Sequence, residues 1–116
     1  MPILTVYGVP ESMSADLPMM TKSLINNIAG IKELNLMPSE ISVFYPRDLM
    51  QEGLGEEIIV FVDGLFDKPE RTEAVRKELA ETVAKNILMF IQGTNLVECL
   101  IRPFKPDQGF CSISNI

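Results

Sequence analysis

A chain of 116 residues, 47% hydrophobic and 22% charged, is sized for one domain with a modest core. Its 10 basic and 16 acidic residues give a net charge of -6 with no stripe of Lys or Arg, which argues against nucleic acid and anionic membrane as partners. It has no histidine, Cys99 and Cys111 stand alone, and the most apolar stretch, 87–93, is too short to cross a bilayer; no metal site is expected, and the chain reads as cytoplasmic with reduced cysteines.

The chain opens "MPILTVYGVP", with proline directly behind the initiator methionine. Pro2 is small enough for an aminopeptidase to remove Met1, which would leave a secondary amine at the start of the chain. Residues 3–9, rich in β-branched side chains and closed by Gly8, Pro10 and Ser12, predict a strand and a loop. A helix follows, with Asp16 as its cap, Pro18 in its first turn, Leu17, Met20, Leu24, Ile25 and Ile28 at helical spacing, and Gly30 as a left-handed end. Residues 41–45 (ISVFY) predict a second strand stopped by Pro46, and residues 56–66 a third, apolar at every position from Ile58 to Val62. Asp67 and Pro69 open a second helix with Val75, Leu79, Val83, Ile87 and Phe90 on one stripe, ended by Gly93, and residues 95–104 form a last strand before a tail.

The order strand, helix, strand occurs twice, which divides one domain into halves 1–54 and 55–104 and a tail 105–116. Each β-α-β crossover makes its two strands parallel. The expected class is therefore α+β: a four-stranded mixed sheet in which 3–8 and 57–62 lie antiparallel at the centre, with both helices on one face. Strand 58–62 is apolar on both sides, so the other face calls for a second subunit. At roughly 25 cal/mol per Å², burying a few hundred Å² there contributes on the order of 10 kcal/mol before association costs.

Three stretches, "MPILTVYGVP", "PSEISVFYPRDLMQEG" and "LIRPFKPDQGFCSI", together with this element order, resemble the tautomerase superfamily that includes macrophage migration inhibitory factor. The pattern is nearest a bacterial branch whose chains end in a strand, a proline and a short aromatic tail. The resemblance implies homotrimers, no cofactor, and an N-terminal proline as general base on a keto-enol or unsaturated keto-acid substrate. An apolar surrounding would keep such an amine neutral and able to accept a proton, and a nearby cation would hold the enolate or a carboxylate.

The cations that the resemblance singles out match only in part. Relatives acting on dicarboxylates carry arginines in the second strand, where Ser42 stands here, and in the loop that here reads "PESMSAD". Lys32 lies near the position of a lysine used by the inhibitory-factor branch. Arg102, at the end of the last strand, could reach a neighbour's Pro2 across a trimer interface, and Arg47 reads as paired with a carboxylate in solvent. The other reading of the chain is a non-catalytic oligomeric binding or scaffold protein that keeps the fold, with Pro2 merely starting an edge strand.

Overall fold

The computed structural model describes residues 1–50 and 57–115. The expected boundary between halves at 54/55, and position 56 of the third strand, lie outside the described residues.

The four apolar, β-branched runs yield β1 (Ile3–Tyr7), β2 (Ser42–Phe44), β3 (Glu57–Phe66) and β4 (Leu96–Phe104), and the helical stripes yield α1 (Leu17–Ala29) and α2 (Glu73–Phe90). The four strands form one sheet in the order β2-β1-β3-β4. The central pair is antiparallel, with Ile3 opposite Asp63 and Tyr7 opposite Ile59. The flanking pairs, β1 with β2 and β3 with β4, are parallel, as the two crossovers require.

Period-two alternation decides which side chains meet the helices. Leu4 and Val6 on β1, and Ile58, Val60 and Val62 on β3, are all buried. They join Met20, Leu24 and Ile28 of α1 and Leu79, Val83 and Ile87 of α2 in one core, which places both helices on the same face as expected. A polar contact links the two helices, Asn86 Nδ2 donating to Ser23 Oγ at 2.9 Å. At the end of the sheet, the Tyr45 hydroxyl meets Thr21 Oγ1 and ties the exit of β2 to α1.

Three local expectations change. Asp16 does not cap α1 with its side chain; it closes a 3-10 turn, Glu11–Asp16, that runs directly into the helix. Gly30 ends α1 in right-handed geometry (φ -73°), while the left-handed residue of that connection is Asn35 (φ 50°), after a short turn at Lys32–Leu34. The second helix starts at Glu73 rather than near Asp67, because Thr72 is its cap, its hydroxyl accepting from the Val75 N–H. The residues in between are committed to other bonds: the Asp67 N–H donates to the Phe104 carbonyl at 2.8 Å and the Arg71 N–H to the Lys68 carbonyl at 2.9 Å.

The other face of the sheet carries no helix. Phe44, Thr5, Phe61 and Leu100 form one row across it, with Tyr7 and Ile59 in the next. Tyr7 and Phe61 pack edge to face, with centroids 6.0 Å apart. Gly8 turns the chain off this face with φ +92°; a Cβ there would lie 2.5 Å from the Glu57 carbonyl oxygen, so only glycine lets the exit of β1 cross β3 so closely.

Candidate functional site at the amino terminus

The start of β1 is anchored by the sheet ladder: the Pro2 carbonyl accepts the Ser42 N–H at 3.1 Å, and Pro2 itself is buried, while Met1 remains 56% exposed. Proline costs no hydrogen bond at this position, because the strand begins there. With Met1 in place the Pro2 nitrogen is an amide and the free amino group belongs to Met1. That amine is held below its ordinary value of 8.0, chiefly by burial; Arg71 and Lys68 lower it further and Glu40 opposes them.

Arg71 is the residue that the sequence did not single out. It sits in the connection between β3 and α2, only 4% exposed. Its Nη1 donates to the Phe66 carbonyl at 2.8 Å and its Nη2 to the Leu34 carbonyl at 2.6 Å, so one guanidinium joins the end of β3 to the turn that follows α1. Arg76 fixes the same connection by donating from Nη1 to the Arg71 carbonyl at 2.6 Å. The Arg71 Nε is buried and has no hydrogen-bond partner. A buried cation with an unused N–H, acting on the amino terminus, is the arrangement that would attract an anion. Replacing it by methionine removes the donors of two carbonyls at once. Arg71→Met is expected to lower stability by about 2–5 kcal/mol in chemical denaturation.

Of the cations expected from the sequence, Lys32 is exposed in the turn after α1. Arg102 lies on the outer face of the sheet, in the row Ile3, Asp63, Arg102. Two strand spacings, together about 10 Å, separate it from β1. It forms a bidentate pair with Asp63, at 2.6 Å from Nε and 2.7 Å from Nη2, and its guanidinium lies 4.2 Å from the centroid of Phe61. Arg47 pairs with Glu11 at 2.8 Å in solvent, as expected. The Cys99 thiol is pushed up to about 12 by burial, which leaves it protonated and packed, and Cys111 is exposed; both are free.

A cavity of about 460 Å³ lies at the far end of β1, on the outer face, between Tyr7, Gly8, Ile59 and Phe61 of the sheet and Pro46 to Leu49 of the loop after β2. It is separate from the amino terminus within one protomer. Among the described residues, no helix is long and apolar enough to cross a membrane.

No family model matches the chain, and no curated protein matches it. Solved structures do. A macrophage migration inhibitory factor from Toxoplasma gondii superposes with a TM-score of 0.67 at 11% identity, covering 98% of this chain and 97% of that one. A fused 4-OT solved as a symmetric trimer gives 0.66 at 13% identity over 97% and 92% of the two chains. A protein of unknown function from Vibrio cholerae O1 biovar eltor gives 0.67 at 11% identity over 95% and 83%.

Proposed function

From the fold that this chain shares with tautomerase-superfamily structures, we propose that it is a cofactor-free tautomerase whose base is the amine of Pro2, exposed when Met1 is removed. The observation that carries this reading is a buried Pro2 at the amino terminus on which Arg71 acts, itself buried and with its Nε unused. Once the methionine is gone the amine lies one residue further into the fold than the Met1 amine, which burial and two cations already keep below its ordinary value. Pro2 would take a proton from the carbon next to a carbonyl and return it at another carbon or at oxygen. The enolate formed in between carries negative charge, and Arg71 supplies the positive charge beside it. The substrate class is a keto-enol or an unsaturated keto acid, with Lys32 and Arg102 as outlying cations for its far end.

The outer face of the sheet supports self-association, and one of the similar structures is a trimer. A trimer would bury Phe61, Leu100 and Tyr7, and would bring the Arg102–Asp63 pair to a neighbouring protomer, where Arg102 could approach that protomer's Pro2.

The test is a comparison of two preparations distinguished by intact mass, one with Met1 removed and one with it retained. Ketonisation of phenylpyruvate enol and of 2-hydroxydienoates, followed in the ultraviolet, is expected only from the processed protein. Equal rates from both preparations would defeat the base assignment. No turnover from either would favour the non-catalytic oligomer.

A further inference from the structure

β3 does not run evenly against β4: Asp63 pairs with Arg102 and Leu65 with Pro103, leaving Gly64 as the extra residue of a bulge. Gly64 has φ +72°, and a Cβ built on it would lie 3.1 Å from the carbonyl oxygen of Met1. Apart from its chain neighbours, that oxygen is the only described heavy atom within 4 Å of the position. Among the described residues, the space on the Cβ side of Gly64 is therefore open, a hollow beside the amino terminus into which only the Met1 carbonyl oxygen projects.

The Met1 carbonyl carbon is bonded to the Pro2 nitrogen, so it marks a direction in which that nitrogen meets its surroundings. When Met1 is removed, the bond is replaced by a lone pair or a proton and the hollow is vacated. A substrate carbon giving its proton to Pro2 has to approach from the same side, carrying its own carbonyl with it. We propose that the hollow opened by Gly64 seats the reacting carbonyl of the substrate, and that Gly64 sets the limit on what fits beside Pro2. The proposal rests on the reading of Pro2 as the base. It makes Met1 a plug as well as a blocking group: a retained methionine converts the amine to an amide and occupies the substrate's place with a carbonyl of its own.

The experiment uses the full chain, processed and unprocessed, the latter made with methionine aminopeptidase inhibited, each as wild type and as Gly64→Ala. Alanine carries the cost of a positive φ in both forms, but it meets the Met1 oxygen only in the unprocessed one. Gly64→Ala is therefore expected to lower the melting temperature more when Met1 is present than when it is absent. Phenylpyruvate is expected to bind processed wild type, to bind processed Gly64→Ala at least 10-fold more weakly, and not to bind the unprocessed protein. The comparison of the two wild-type forms stands even where the variant does not fold. Equal melting losses in both forms, or phenylpyruvate binding that ignores both Met1 and Gly64, or no binding to processed wild type, would overturn the proposal. Turnover that depends on Pro2 with binding indifferent to Gly64 removes the hollow alone. Binding that depends on Gly64 with turnover indifferent to Pro2 removes the base assignment and keeps the hollow.

Discussion

Replacing Pro2 with alanine is expected to lower turnover of the processed protein by about 10²–10⁴ while leaving fold and assembly in place. The fold survives because the Pro2 contribution to the ladder is its carbonyl, which accepts from the Ser42 N–H and is unchanged by the substitution. Alanine also permits methionine removal, so the variant still presents an amine at the same point of β1. What it loses is the ring. In proline the nitrogen is held by two bonds to a buried pyrrolidine, which fixes where its lone pair points; in alanine the amine rotates about one bond and gains N–H groups that seek solvent or the carboxylate of Glu40. Basicity is kept and placement is lost, and an acid-base catalyst is effective only within hydrogen-bond reach of the proton it takes. The check is kcat/KM on phenylpyruvate enol beside circular dichroism and sizing of the same samples.

The second large effect is expected on assembly. Phe61 lies on the face of the sheet away from the helices, flanked by Thr5 and Leu100, in contact with Tyr7 and beneath Arg102. Phe61→Asp leaves the monomer core of Val60 and Val62 untouched and puts a carboxylate beside a guanidinium, so the protomer keeps its fold. In an oligomer packed on this face the same carboxylate is buried at the centre of the contact. Losing an aromatic anchor and desolvating a charge together cost at least about 4 kcal/mol per contact, which is on the order of a 10³-fold weaker association. Analytical ultracentrifugation of the variant should show folded monomer. A Phe61→Asp protein that sediments like the wild type would show that assembly uses another surface or does not occur.

The element order was legible in the sequence because each element carried its own period. The runs 3–9 and 56–66 alternate or stay apolar over strand lengths, and Leu79, Val83 and Ile87 recur at helical spacing, so the central antiparallel pair and the one-sided helices followed from chain order and the handedness of crossovers. Helix ends were less legible. Pro69 suits a first helical turn as well as it suits a tight connection, and the choice was settled by bonds that reach across the chain: Asp67 to Phe104 and Arg71 to Phe66 and Leu34.

The site was the least legible part. In "DKPERTE" the arginine stands among charges and reads as a solvated loop residue, and its burial depends on a carbonyl 37 positions earlier in the chain. The one local signal is a cation placed between a strand and a helix cap. For Arg102 the reverse holds. Its place at the end of the last strand suggested a reach toward a neighbour's Pro2; within the chain the register of β4 on β3 sets it opposite Asp63, and no local pattern in "LIRPF" reveals that partner.

The most direct test is the titration of the Pro2 nitrogen in processed protein labelled with ¹⁵N-proline, measured alongside the pH dependence of ketonisation. A primary α-amine in water titrates near 7.7–8.0, and the secondary amine of an unburied N-terminal proline, being more basic, sets a higher ordinary value for Pro2. Burial chiefly holds the Met1 amine below its ordinary value, with Glu40 opposing it and Arg71 and Lys68 adding to it; the Pro2 amine, one residue further in, is expected to lose its proton at lower pH for the same reason and to act as a base at neutrality. The account predicts a Pro2 nitrogen that titrates below the ordinary range, and a kcat/KM that rises with pH through that same ionisation. A Pro2 nitrogen that titrates at or above the ordinary value, with a rate that ignores its protonation, would contradict it.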